Sequence, residues 1–174
     1  ERQTERSPLA IGEQPIGIIG PGTGLGVSGL VPAARGRWTA LAGEGGHVTM
    51  PATNAREAAL LELLGRRFGH VSAERLLSGM GLSNLYETLA MLDGQSDPRA
   101  RDPKSVTEGA RSGDPVSAEA VRTFSGMLGT IAGNLALTLG ARGGVFVAGG
   151  IVPKLGLLFD ADLFRERFEA KGRM

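Results

Sequence analysis

The 28 glycines of this 174-residue chain gather at the ends of short apolar runs, and that placement narrows the fold before any other feature does. Glycine at such spacing marks tight turns and close backbone approaches, whereas a flexible linker would show it diluted among polar residues. Ile16-Gly17-Ile18-Ile19 is a β-rich run that ends in Gly20-Pro21-Gly22-Thr23-Gly24-Leu25-Gly26. Val27 to Val31 and Arg37 to Ala42 read as two more strands, with Pro32 and Gly36 between them. Three strands on short turns predict an antiparallel meander.

The pattern then changes to a helical period. Asn54 and Glu57 make a capping-box spacing ahead of Leu60, Leu61, Leu64 and Phe68, and Gly69 suits a C-terminal cap. Ser72 is expected to open a short helix to Leu77, Ser83 another to about Leu92, and Ser105 with Glu108 a third after a polar loop. Asp114-Pro115 places a capping acid and a first-turn proline before a long pattern ending at Leu139-Gly140. Gly126, Gly129, Ala132 and Gly133 give that helix a small-residue stripe, which predicts close packing against a sheet. Val145-Phe146-Val147 is a strand running into Gly149-Gly150, and Asp160 to Lys171 is a last amphipathic helix. The order predicts an α/β fold, a mixed sheet with helices packed on it.

Composition excludes several functions. With no cysteine, disulfides, thiolate metal sites and cysteine nucleophiles are ruled out. A net charge of +1 offers no field to draw nucleic acid or an anionic membrane. No apolar run approaches the roughly 20 residues that span a bilayer. A cytosolic enzyme fits, although lack of cysteine assigns no compartment. Two histidines, His47 and His70, are too few and too far apart to build a metal site. No Gly-Lys-Ser/Thr of a P-loop is present.

Two glycine segments carry chemistry. Gly20 to Gly26 lets backbone N–H groups converge on a phosphate, with the Thr23 hydroxyl beside them; it also reads as a plain hairpin turn. Gly24-Leu25-Gly26-Val27-Ser28-Gly29 formally fits a dinucleotide fingerprint, but Pro32 would fall inside the helix that fingerprint requires. In Gly43-Glu44-Gly45-Gly46-His47, Glu44 can accept two sugar hydroxyls and His47 can donate or accept one; alone, the segment is equally a bend with an exposed acid. Glu74 is favoured in a first helical turn by the helix dipole and needs no ligand to explain it. His70, just past Gly69, reads as a helix-end or turn residue. A phosphate turn followed by an acid–imidazole segment points to phosphoryl transfer to a sugar.

Taken together, these segments resemble the bacterial glucokinase family of the hexokinase/actin-like ATPase superfamily. The likeness rests on Gly20 to Val27, Gly43-Glu44-Gly45-Gly46-His47-Val48 and Gly69-His70-Val71-Ser72-Ala73-Glu74-Arg75, in the family's order. Leu77-Ser78-Gly79, Gly81 to Tyr86, Gly133 to Leu137, Gly143 to Pro153 and Phe168 to Arg173 continue it. Met80 departs from the pattern, which usually has proline there. The resemblance implies a ribonuclease H-like domain, with Glu44, His47 and Glu74 binding glucose hydroxyls. It implies Gly22, Thr23 and Gly24 as a phosphate-binding turn, Gly149 and Gly150 as an adenosine-binding turn, and ATP with Mg²⁺ as co-substrate. It leaves room for a homodimer.

The same likeness shows what is missing. Family members carry an Asp-x-Gly-Gly-Thr-Asn loop and an Asn-Asp pair, which supplies another sugar ligand and the general base; neither occurs here. A further strand and glycine-rich helix after the Lys-Gly-Arg motif are also absent. The expectation is a linker over residues 1–14 and an incomplete large domain over 15–174, with no catalytic residue in this chain. Two other readings stay open. Kinases of the repressor/ORF/kinase (ROK) family share a Gly-Glu-x-Gly-His type segment but commonly carry a cysteine-rich zinc motif soon after it. A non-catalytic sugar-binding module is the second.

Overall fold

The computed structural model describes residues 14–96, 98 and 101–172; the linker expected over residues 1–14 lies outside them save for Gln14. Four strands form one mixed sheet in the order β3-β2-β1-β4. Strand β1 (Ile16–Pro21) pairs antiparallel with β2 (Leu25–Ala33), Ile18 opposite Ser28 and Pro21 opposite Leu25. Strand β3 (Arg37–Gly43) extends the meander, with Leu41 opposite Gly29. The turn between β2 and β3 takes Arg35 and Gly36 into the left-handed region, at φ 62° and 67°, which glycine accepts freely. Strand β4 (Val145–Val147) returns after the helices to lie parallel to β1, Phe146 beside Ile18.

Helix α1 (Ala55–Phe68) starts where expected, with the Asn54 side chain accepting from the Glu57 N–H, and ends at Gly69. The Glu57 carboxylate does not complete the box on Asn54; it accepts from the Thr53 N–H and hydroxyl instead. Helix α2 (Gly79–Leu92) begins earlier than the sequence predicts, and Ser78 caps it by accepting from the Gly81 N–H. Ser83 therefore lies inside α2, buried. The Ser72 to Leu77 helix reduces to one 3-10 turn, Ala73–Arg75, whose free Ala73 N–H donates to Val48 O. Asp102, not Ser105, caps α3 (Pro103–Arg111), accepting from the Lys104 and Ser105 N–H groups. Helix α4 (Pro115–Leu139) runs from its Asp114 cap to Gly140, φ 59°, as read. Helices α5 (Ile151–Leu155) and α6 (Ala161–Glu169) follow β4, and α6 is shorter than the expected Asp160 to Lys171.

The core sits among α1, α2, α3 and α4, where Leu60, Leu85, Leu89, Val106, Phe124 and Leu128 are fully buried. Each such side chain stabilises the fold by about 1.5–3 kcal/mol relative to exposure. The small-residue stripe of α4 does not meet the sheet. A Cβ at Gly129 would strike the Phe164 carbonyl and one at Gly133 the Phe168 carbonyl, so the stripe admits the backbone of α6. Leu135 and Leu139 are what α4 lays on the sheet, against Gly17 and Gly29. Arg167 of α6 then reaches α1, its Nη2 donating to both Glu57 oxygens at 3.0 Å.

Candidate functional site

The expected site residues collect at one end of the sheet. Between β1 and β2 the Gly22 N–H donates to Gly24 O at 2.8 Å, and Gly22 O accepts from the Gly79 N–H of α2 at 2.9 Å. The turn after β4 lies alongside: the Ala148 N–H donates to Ile19 O at 2.8 Å, and a Cβ at Gly149 would overlap Pro21 O. Gly149 also has φ 81°, so glycine is required there twice over. Gly22, Thr23 and Gly150 line a cavity of about 830 Å³. That volume lies within the roughly 300–1,000 Å³ usual for small-molecule sites. Gly24 and Gly149 are not among the residues that line it.

The facing wall is α3, which the sequence reading did not connect to the site. Lys104, Thr107, Glu108 and Arg111 lie along it, and Leu82, Ile151 and Leu155 supply apolar surface. Their spacing, i, i+3, i+4 and i+7, puts them on one helical face. That spacing was the available signal, but only the fold shows what α3 faces. Lys104 Nζ lies 3.6 Å from Glu108, and Arg111 Nη2 donates to Lys154 O at 2.9 Å. At the rim, Asp102 is held below the usual carboxylate range by hydrogen bonds from Ser105, so it is anionic near neutrality.

The sugar-type residues lie on segments packed beside this turn. Gly45–His47 forms a 3-10 turn on β2, where a Cβ at Gly45 would strike Val27 and one at Gly46 the Leu25 carbonyl. The chain beyond it pairs with the segment leading to Glu74: the Ala73 N–H donates to Val48 O at 2.8 Å and the Met50 N–H to Val71 O at 3.0 Å. Glu74 then reaches back, its Oε2 accepting from the Leu25 N–H at 2.8 Å. Glu44 and His47 are looser. Their side chains lie 3.9 Å apart and are 91% and 62% exposed, free to accept and donate to a polyol. His70 is a turn residue, with Nε2 3.0 Å from Thr49 Oγ1. Among the described residues no cluster of three or more acids and histidines could hold a metal ion. No helix among them is long and apolar enough to cross a membrane.

The family model described as Glucokinase matches residues 4–174. The glucokinase of Paramagnetospirillum magneticum is 56% identical over 159 residues, which are 91% of this chain and 50% of that protein. The solved glucokinase from an Antarctic psychrotroph superimposes with a TM-score of 0.87 at 36% identity, covering 93% of this chain and 50% of that one. A ROK family glucokinase from Streptomyces griseus, solved in complex with glucose and AMPPNP, gives a TM-score of 0.58 at 25% identity over 90% of this chain and 50% of that one. The chain thus spans about half the length of the relatives it matches.

Proposed function

We propose, because the chain belongs to the glucokinase family, that it supplies the sugar site and part of the nucleotide site for ATP-dependent phosphorylation of glucose. In this reading the glucose 6-hydroxyl oxygen attacks the γ-phosphorus of ATP, the bond to the β–γ bridging oxygen breaks, and ADP leaves. Mg²⁺ arrives on the nucleotide as part of the substrate. Glu44, His47 and Glu74 orient the sugar hydroxyls, so most of their contribution is positioning. Gly22, Thr23 and Gly24 present the phosphate turn, and Gly149 and Gly150 the adenosine turn. The proton of the 6-hydroxyl passes to a carboxylate that we assign to no residue of this chain. Residues 15–174 are then the greater part of the enzyme's large domain, working in the cytoplasm, and a homodimer is compatible with that role.

The observation that carries the reading is the hydrogen bond from Leu25 to Glu74, which joins the sugar-type segment to the phosphate turn. The 830 Å³ cavity lined by Gly22, Thr23 and Gly150 adds room for a nucleotide beside them. Two measurements test it. Calorimetry of the 174-residue chain is expected to show glucose binding that Glu44→Ala weakens, and absence of binding would sink the sugar site. Glucose-dependent ADP release is expected only when the chain replaces the matching half of the Paramagnetospirillum magneticum glucokinase. Turnover by the chain alone, abolished by Glu44→Ala, would refute the absence of a base.

A further inference from the structure

Asn84 is an odd residue to find inside α2. Its neighbours Leu82, Leu85 and Leu89 are buried in the core, and Asn84 itself is only 7% exposed. Asparagine favours helix interiors poorly, and a buried amide requires a hydrogen-bond partner. Its Nδ2 donates at 2.8 Å to Arg75 O, the carbonyl of the residue after Glu74. Among the described residues no backbone N–H donates to that carbonyl. Gly81 lies on the same face of α2, one turn earlier. A Cβ there would overlap the Leu76 carbonyl, so glycine lets the helix lie against the backbone that leaves Glu74. The Glu74 backbone is thereby held on both sides. Before it, the Ala73 N–H donates to Val48 O at 2.8 Å. After it, Asn84 holds Arg75 O, while the Arg75 guanidinium sits 4.4 Å from the centre of the Phe68 ring.

We propose that Asn84 is a positioning residue for the sugar site: from inside α2 it holds the turn that aims Glu74. The inference rests on the reading of Glu74 as a sugar ligand. The physical cause is where the glutamate arm starts. With the backbone fixed on either side of Glu74, the carboxylate reaches the Leu25 N–H in one geometry. Its remaining lone pairs then point in fixed directions, ready for hydroxyl donors. Without Asn84 the Arg75 carbonyl is left without its partner, and the turn shifts to find another. The carboxylate then leaves Leu25 or meets the sugar hydroxyls at a poorer angle, where hydrogen bonds weaken steeply. Asn84 contributes to glucose affinity through Glu74, as the donor that sets its orientation.

Two measurements on the 174-residue chain test this. Amide hydrogen exchange reads the link from Asn84 to Glu74 without any ligand. In Asn84→Leu, which fills the same space but donates nothing, protection of the Leu25 amide is expected to fall about tenfold relative to that of Leu60 in α1. Calorimetry reads the consequence: the same variant is expected to bind glucose about tenfold more weakly. Asn84→Ser, whose hydroxyl stops short of Arg75 O, is expected to act alike and serves where the leucine variant fails to fold. Leu89→Val thins the same helix in the core without touching the turn, so it is expected to lower stability and leave glucose affinity unchanged. If the Asn84 variants keep both the Leu25 protection and the glucose affinity of the wild type, the inference is wrong and the site reading stands. Equal losses of glucose affinity in Leu89→Val and Asn84→Leu would also overturn it, because core stability would then account for both. If glucose does not bind the wild-type chain, the sugar site and the inference fall together.

Discussion

The helical layer and the outer strands of the sheet treat their apolar side chains in opposite ways. Helix α4 is buried without a break from Phe124 to Gly133, and α2 buries nine of its fourteen residues. Every residue of β3 is exposed, Trp38 and Leu41 included, and Phe146 of β4 is 55% exposed. Helix packing here is satisfied by the chain's own side chains: α6 seats on the glycine stripe of α4, and Arg167 closes onto Glu57. Strands β3 and β4 are the sheet's two edges, each with backbone groups that no described strand pairs. The site lies on the seam between these regions, its glycine turns belonging to the sheet and its facing wall to α3.

The largest expected effect lies in the helical layer. Phe124→Ala removes a fully buried ring and should cost about 3–5 kcal/mol in urea unfolding. Next comes Glu57→Ala, which leaves the Arg167 side chain, 13% exposed, without its buried carboxylate while Thr130 Oγ1 still accepts from Nε. A cost of about 3 kcal/mol, the low end for a broken buried pair, should be read in the same assay. Phe146→Thr on β4 should change stability by no more than about 0.5 kcal/mol, because the ring already faces solvent. A Phe146 variant as costly as the Phe124 one would abolish the distinction between the two regions. A neutral Phe146→Thr that also lowers self-association at high concentration would sharpen it.

What could be read from the sequence follows how local the determining physics is. The three-strand meander, the Asn54 and Asp114 caps and the Gly69 and Gly140 ends depend on residues within a turn of one another, and the structure has them as read. The starts of α2 and α3 were misplaced because two serines competed with better caps nearby. Ser78 can accept from Gly81, whose missing Cβ lets the chain crowd Leu76, and Asp102 stands before a proline that suits the first helical position. The stripe on α4 correctly signalled close packing, but the sheet is not its partner: Phe164 and Phe168 of α6 fill that place, and they lie far along the chain. In the site, Glu74 was found only through the family resemblance. Its local setting explains an acid without a ligand, and the Leu25 N–H that uses it is 49 residues away. The α3 wall was missed for the same reason.

The smallest effect should come from the seam. Asp102 caps α3 at the rim of the cavity, and its carboxyl is shifted down from 3.8 chiefly by the Ser105 N–H, then by the Ser105 hydroxyl. A depressed folded-state pKa means that the cap's stabilisation is fully present above the unfolded value and disappears as pH falls through the folded value. Because the group lies at the surface, the effect is expected to be local and weakened by salt. Protection of the Lys104 and Ser105 amides, their exchange measured against the unstructured chain at the same pH, should therefore fall below pH 3.8 in the wild type, while Asp102→Asn shows no such step. Exchange in α4, measured in the same samples, decides what the step means. If α3 loosens alone, the seam is a separate, softer unit resting on the helical layer. If α4 loosens with it, the cavity wall and the core form one cooperative block, and the boundary between the two regions moves outward to the strands.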